Sequence, residues 1–234
     1  MGGVTSFGLV HSPLVGPATW RAVADELRGR GHEVTVPSLV GAAQSGDPHA
    51  VVDAAAHALH DIDVLVGHSG AGLLLPLIAH AMNAAPAQLV FVDSAIPPAS
   101  GTTPLLPDRL RAHIAPLAVD GTLPPWSEWF GADAMPALVP DPIVRAGLVT
   151  EMPRLPLAYF DTAVAMPEAW RALDCGYVLL SAAYVDDARE AARLGWPLVE
   201  LRSTHLAIAT DAHTATNAIV AVVTAPRDGS NSRA

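Results

Sequence analysis

The chain has 234 residues, 51% hydrophobic and 15% charged, which is enough for one large domain with a substantial buried core. Its net charge is −10 and all 13 basic residues are arginine, so no basic stripe exists for a nucleic-acid partner. Apolar runs such as 71–79 are far shorter than the roughly 20 residues of a membrane span, and the lone Cys175 excludes an internal disulfide framework.

Residues 5–11 (TSFGLVH) predict a strand, after which Trp20, Val23 and Leu27 recur at helical spacing behind Pro17. A second strand is expected at 33–36 (EVTV), followed by an alanine-rich helix over 49–60. The run 63–66 (DVLV) predicts a third strand, with a helix beginning just after Ser69, and 88–92 (QLVFV) predicts a fourth. Strands are next expected at 177–181 and 198–201, with helices over 186–194 and 211–223. Such alternation predicts an α/β fold, a mostly parallel sheet of about six strands wrapped by helices. Continuous apolarity within the strands agrees, because strands covered on both faces have no polar side to show.

The stretch 97–170 reads differently. It holds thirteen of the 21 prolines, shows no strand signal, and offers short helical pieces at 108–117 and 142–151. So long a segment between two strands predicts a helical cap inserted into a core made of 1–96 and 171–225. The alternative is a helical elaboration that only extends the core. The polar tail, 226–234, is expected to be disordered.

The chemistry is concentrated at DVLVGHSGAG, 63–72, where a strand runs into Gly67-His68-Ser69-Gly70-Ala71 and a helix leaves. This is the pattern of a nucleophile elbow, a tight strand-to-helix turn that exposes a serine Oγ above the sheet. Small neighbours are needed because the turn is cramped; Ala71 stands where the motif's last glycine usually does. A helix N-terminus behind Ser69 also favours negative charge developing on a substrate oxygen.

With this motif in place, the chain resembles the α/β-hydrolase superfamily over nearly its whole length. It is most similar to the small capped branch that includes plant methylesterases, hydroxynitrile lyases and bacterial relatives. The opening LVHSPLVGPATWRAVADELRGRGHEVTVPSL, 9–39, matches that branch's first strand, loop, helix and second strand. The lysine-free, alanine- and arginine-rich usage predicts a GC-rich bacterial source. Residues 1–8 carry no basic run ahead of an apolar core, so no secretory leader and a cytoplasmic location are expected.

The resemblance implies an α/β-hydrolase fold and assigns roles. Ser69 would be the nucleophile, and His205, in STHLAIATDAH after the last strand, the general base it requires. The partner carboxylate is less settled. Tyr184 falls where the family places its aspartate, in LLSAAYVDDARE, and Asp186 lies two residues late. Asp93, ending the strand QLVFVDS, is the other superfamily position and preserves the Ser-acid-His order; it is preferred, with Asp186 as the alternative.

The oxyanion loop departs from the family. Gly70 N–H should supply one donor, but the loop reads His11-Ser12-Pro13-Leu14, and proline has no N–H. Leu14 N–H or the Ser12 hydroxyl would then be the second donor. In the hydroxynitrile lyases a threonine matching Ser12 contacts substrate, so Ser12 is also a substrate-binding candidate, as are Trp126 and Trp129 of PPWSEWF.

The leading expectation is a serine hydrolase for an ester, thioester or lactone of a small to medium apolar substrate. A non-hydrolytic enzyme of the same fold (lyase, elimination, cyclisation or acyl transfer) is the second reading, and a ligand-binding protein with a vestigial site the third. No cofactor is implied, since GLVHSPLVG lacks the G-x-G-x-x-G spacing, and the histidines show no metal-ligand pattern. The expected partner is a small molecule, with no nucleic acid and no membrane; oligomeric state is not legible.

Overall fold

A computed structural model describes residues 3–226, so the expected disordered tail lies, apart from residue 226, outside the described residues. The first part of the chain lays down β1 (Ser6–Val10), α1 (Arg21–Gly29), β2 (Glu33–Thr35), the short α2 (Val40–Gln44), α3 (Pro48–Ala58), β3 (Val64–His68), α4 (Leu75–Ala81) and β4 (Gln88–Val92). An insertion follows, with β5 (Thr102–Pro104), α5 (Asp108–Ile114), α6 (Ala134–Leu138), α7 (Pro142–Thr150) and β6 (Ala163–Ala165). The core resumes with β7 (Asp174–Leu179), α8 (Val185–Arg193), β8 (Leu198–Glu200), α9 (Ala207–Thr210) and α10 (Ala212–Thr224).

Six strands form one sheet in the order β2-β1-β3-β4-β7-β8, every pairing parallel. Side chains alternate along each strand, so each strand feeds two cores. Phe7, Leu9, Val64, Val66, Val90 and Val92 pack with Trp20, Leu27, Ile219 and Val222 from the α1 and α10 side. On the other face Leu65, Leu89, Phe91 and Tyr177 meet Val51, Leu75, Ile78 and Ala188 of α3, α4 and α8. Burying a single aliphatic side chain of this kind contributes about 1.5–3 kcal/mol. Helix starts follow local chemistry: the Asp47 carboxylate accepts from His49 N–H at 2.9 Å ahead of α3, and Asp141 from Ile143 N–H at 2.7 Å ahead of α7. Each of these helices has proline as its first residue, where a missing N–H costs nothing.

The insertion is not free of strands, contrary to the sequence-based expectation. Thr102–Pro104 and Ala163–Ala165 pair antiparallel, Thr102 opposite Ala165, and tie the base of the segment together. Three-residue strands, one carrying proline, are too short for an alternating apolar pattern to reveal them. Above this ribbon, Met135, Val139, Leu148 and Met152 cluster with Val15 and Leu206, so the insertion packs on the loops that leave β1 and β8. No helix among the described residues is long and apolar enough to cross a membrane.

Candidate active site

The strand β3 is buried along its whole length and delivers the chain to Ser69, whose φ of +58° is left-handed. That conformation costs an ordinary L-residue about 1–2 kcal/mol and is held here by the packing around it. A Cβ on Gly67 would stand 2.8 Å from Leu75 Cγ, and one on Gly72 2.6 Å from Ser94 Cβ. The tight approach of helix to neighbouring strand therefore falls at Gly72, one residue beyond the position where the motif usually carries its last glycine. Ala71 is buried without difficulty. From Ser69 to Leu74 the chain is a 3-10 turn, and α4 begins only at Leu75, later than the helix start expected from the sequence.

Sheet order puts the end of β4 beside Ser69. There Asp93, fully buried with φ +44°, accepts four hydrogen bonds: from His205 Nδ1–H at 2.7 Å, Leu180 N–H at 2.8 Å, Ser181 N–H at 2.9 Å and Ser181 Oγ–H at 2.6 Å. Burial pushes the carboxyl up, but the hydrogen bonds from His205 and Ser181 outweigh it and hold Asp93 below the ordinary carboxylate value. Because Nδ1–H donates to Asp93, the Nε2 lone pair of His205 faces Ser69 Oγ, 2.9 Å away. Tyr177 steadies the corner after Asp93, donating its hydroxyl to Ser94 C=O at 2.8 Å and accepting from Ser94 N–H at 3.2 Å.

His68 supports the other partner. Its Nε2–H donates to His205 C=O at 2.8 Å, and burial, with the neighbouring His205, lowers its pKa to about 3, so it stays neutral. Asp186, the alternative acid, is not brought to His205: it is exposed and pairs with Arg189 at 2.6 Å, as a first-turn residue of α8. Asp187 instead caps Ile96 N–H at 2.8 Å. Tyr184 lies against His205, ring centroids 5.5 Å apart at 23°. Ser181 and Tyr177 were not singled out in the sequence; a serine closing an apolar strand was the only available signal.

On the opposite flank, the loop after β1 is built around buried Ser12. Its Oγ would lie 3.1 Å from a Cβ on Gly70, which sets the hydroxyl beside that residue. Leu14 N–H was one of the two candidates for the second oxyanion donor. It is turned inward instead, donating to Ser12 Oγ at 3.3 Å, while Val15 N–H donates to Ser12 C=O at 3.1 Å. His11 holds the loop from behind: one ring nitrogen pairs with Ser12 C=O at 2.8 Å and the other accepts from Leu39 N–H at 2.9 Å. Burial lowers its pKa despite the hydrogen bond to Ser12, which keeps it in that neutral, two-ended role.

The space beside Ser69 is small, about 10 Å³, and is lined by Ser12, Leu14, Val15, Trp126 and Leu206 with the two histidines. That is room for about one water. Trp126 sits edge-on to His205, centroids 6.1 Å apart, as a wall of this space. Trp129 does not line it. Its Nε1–H donates to Pro124 C=O at 2.9 Å and its ring packs against Phe160, which makes it part of the insertion's own core. A larger cavity, about 550 Å³, opens beyond Pro125 between the insertion and the loop after β2, and contains none of Ser69, His205 and Asp93. Among the described residues no group of three or more His, Cys, Asp or Glu is placed to hold a metal ion.

No family model matches the sequence, and no curated protein does. Solved structures do. An extracellular alpha/beta-hydrolase from a Paenibacillus species, described as sharing structural and functional homology with tobacco salicylic acid binding protein 2, superposes with a TM-score of 0.75 at 16% identity, over 96% of this chain and 100% of that one. A pyrethroid hydrolase from Sphingobium faniae gives 0.71 at 19% identity, over 96% and 99%. Tomato methylketone synthase I, complexed with 2-tridecanone, gives 0.69 at 14% identity, over 95% and 98%. Identity this low speaks for architecture alone, and the architecture is the α/β-hydrolase fold.

Proposed function

We propose that the protein is a serine hydrolase that cleaves an ester, thioester or lactone of a small to medium apolar substrate through an acyl-Ser69 intermediate. The observation that carries this reading is the continuous chain from Ser69 Oγ to His205 Nε2, 2.9 Å, and from His205 Nδ1 to Asp93 Oδ2, 2.7 Å. Ser69 attacks the carbonyl carbon as His205 takes its proton, and Asp93 stabilises the imidazolium without accepting the proton itself. Gly70 N–H and the Ser12 hydroxyl receive the oxyanion; the Leu14 N–H that donates to Ser12 Oγ leaves the Ser12 proton free to point at substrate. His205 then returns its proton to the departing oxygen or sulfur, and water repeats the cycle to release the acid.

Segment 97–170 acts in this reading as the cap. Leu14, Val15, Trp126 and Leu206 favour an apolar acyl group, and a space of about 10 Å³ means that Trp126 or Leu14 gives way as substrate enters. The named activities of the hydrolases of similar fold are in keeping with ester cleavage.

One observation favours a second reading, acyl transfer or lyase chemistry at the same serine and histidine. Pro13 leaves the loop after β1 one backbone donor short, and a methylketone synthase is among the proteins of similar fold. The test is fluorophosphonate labelling of the purified protein, followed by peptide mapping and an ester and thioester panel. The hydrolase reading expects a single adduct on Ser69, none in Ser69→Ala, and turnover of simple esters. An adduct without ester turnover selects the second reading. A folded wild type that takes no label defeats the covalent mechanism.

A further inference from the structure

An ionised carboxylate has about four lone-pair sites to offer, and at Asp93 four donors fill them. Oδ1 accepts from Leu180 N–H and Ser181 N–H, and Oδ2 from His205 Nδ1–H and Ser181 Oγ–H. Three of these donors come from the two residues that follow β7, and two of the three are backbone groups that any side chain would leave in place. The Ser181 hydroxyl is the exception. At 2.6 Å it makes the shortest bond of the set, and it lands on the same oxygen as the imidazole.

The direction of that hydroxyl is fixed by its surroundings. Ser181 is extended, φ −133° and ψ 164°, and its oxygen caps the turn 182–184, accepting from Ala183 N–H at 3.4 Å. With that acceptor role in use, the proton points to Asp93, which can only accept while ionised. An alanine would follow the same backbone and bring no polar atom to a half-buried position. The hydroxyl is therefore the feature to explain. A hydrogen bond that stabilises a carboxylate also makes it a weaker partner for a neighbouring cation.

We propose that Ser181 is a positioning residue for Asp93 and His205: its hydroxyl fixes the carboxylate against the imidazole and, by sharing Oδ2, sets the lower pH at which the base works. The proposal rests on the reading of His205 as the base for Ser69. Its sign follows from the shared oxygen. Without the hydroxyl, more of the Oδ2 charge faces Nδ1–H, the imidazolium is favoured, and a higher pH is needed to free Nε2. The other titratable groups that face the pair do not supply this effect. His68, at the end of β3, is lowered to about 3 and is neutral in the range concerned. The Tyr177 and Tyr184 phenols, from β7 and the turn after it, are raised by burial and stay protonated. Burial also raises the Asp187 carboxyl of α8, which is turned to Ile96 N–H at 2.8 Å. It is common to every Ser181 variant and drops out of a comparison among them.

The test follows the low-field proton resonance of His205 Nδ1–H by NMR, and kcat/KM against pH on an ester that the wild type cleaves, for wild type, Ser181→Ala and Ser181→Thr. The alanine variant is expected to move the resonance downfield and to raise the acid limb of kcat/KM by about half to one pH unit, part of what one hydrogen bond to a charged group is worth. Threonine keeps the hydroxyl and should restore both. The position of the limb does not depend on the fraction of protein folded. If the alanine variant does not fold, Ser181→Cys, with its weak S–H donor, should fall between wild type and the expected alanine values. An unmoved resonance with equal losses at every pH, or no change in either readout, overturns the assignment and leaves the hydrolase reading standing. A wild type that cleaves no ester and takes no fluorophosphonate on Ser69 defeats the hydrolase reading instead, and the resonance then still decides whether the Ser181 hydroxyl shares Oδ2.

Discussion

The two flanks of Ser69 are built to different standards. On the side of β4 and β7, the Asp93 carboxylate receives four hydrogen bonds, the corner after it is pinned by Tyr177, and the His205 backbone is held by His68. On the side of β1, Pro13 withholds an N–H, Leu14 spends its own on Ser12, and the available donors reduce to Gly70 N–H and one serine hydroxyl. The first flank fixes the position and tautomer of the His205 imidazole, the base of the proposed mechanism. The second relies on a rotatable hydroxyl, which costs some ordering when charge develops and is less effective than a fixed amide. Under the proposed mechanism, a site so divided invests in proton transfer more than in oxyanion stabilisation.

The strongest way to break this contrast is at Asp93. Asp93→Asn keeps the shape but cannot hold the Nδ1–H tautomer, and it should lower kcat by about 10⁴-fold. Asp186→Asn, at an exposed pair with Arg189, should stay within about 2-fold of wild type. Comparable losses in the two variants would show that the acid has been misplaced.

A smaller effect is expected on the other flank. Ser12→Ala removes the hydroxyl beside Gly70 and should cost about 10²-fold in kcat with little change in KM, the low end for an oxyanion donor. The low end is expected because Leu14 N–H, released from Ser12 Oγ, can turn partly toward the substrate oxygen. Steady-state kinetics on an ester that the wild type cleaves decides the matter, and unchanged kcat would mean that Gly70 serves alone.

The asymmetry between flanks also governs what could be read from the sequence. β3 and β4 announce themselves as continuous apolar runs, and Gly67-His68-Ser69-Gly70 carries the elbow in its local spacing. Asp93 was legible only as one of two candidates, because its adjacency to Ser69 depends on β4 pairing directly with β3. Pro13 was legible as a missing donor, since that is a property of the residue itself. The inward turn of Leu14 N–H was not, because it depends on where the Ser12 hydroxyl comes to rest. Trp126 and Trp129 look equivalent in PPWSEWF, yet a hydrogen bond to Pro124 C=O folds Trp129 into the insertion while Trp126 faces His205. Tyr184 stood out as the wrong residue for an acid; only the tertiary arrangement sets its ring on the imidazole.

The smallest effect sharpens the contrast from the stability side. His68 belongs to the well-braced flank, and burial, with His205 close by, lowers its pKa from 6.5 to about 3. Above pH 6.5 it is neutral in the folded and unfolded chain alike, and its contribution is fully present. Between pH 6.5 and about 3 the unfolded chain takes up a proton that the folded chain refuses, so stability falls as pH falls. His11 acts in the same direction, and Asp93, held below the ordinary carboxylate value, adds its loss only under still more acidic conditions. His68→Gln keeps an N–H for the His205 carbonyl and removes the titration. Urea unfolding followed from pH 7 to pH 4.5 should then give a slope shallower than wild type by up to one proton, about 1.4 kcal/mol per pH unit. Parallel slopes would mean that His68 is protonated in the folded protein, and a charged imidazole beside His205 would be incompatible with the neutral brace described for that flank.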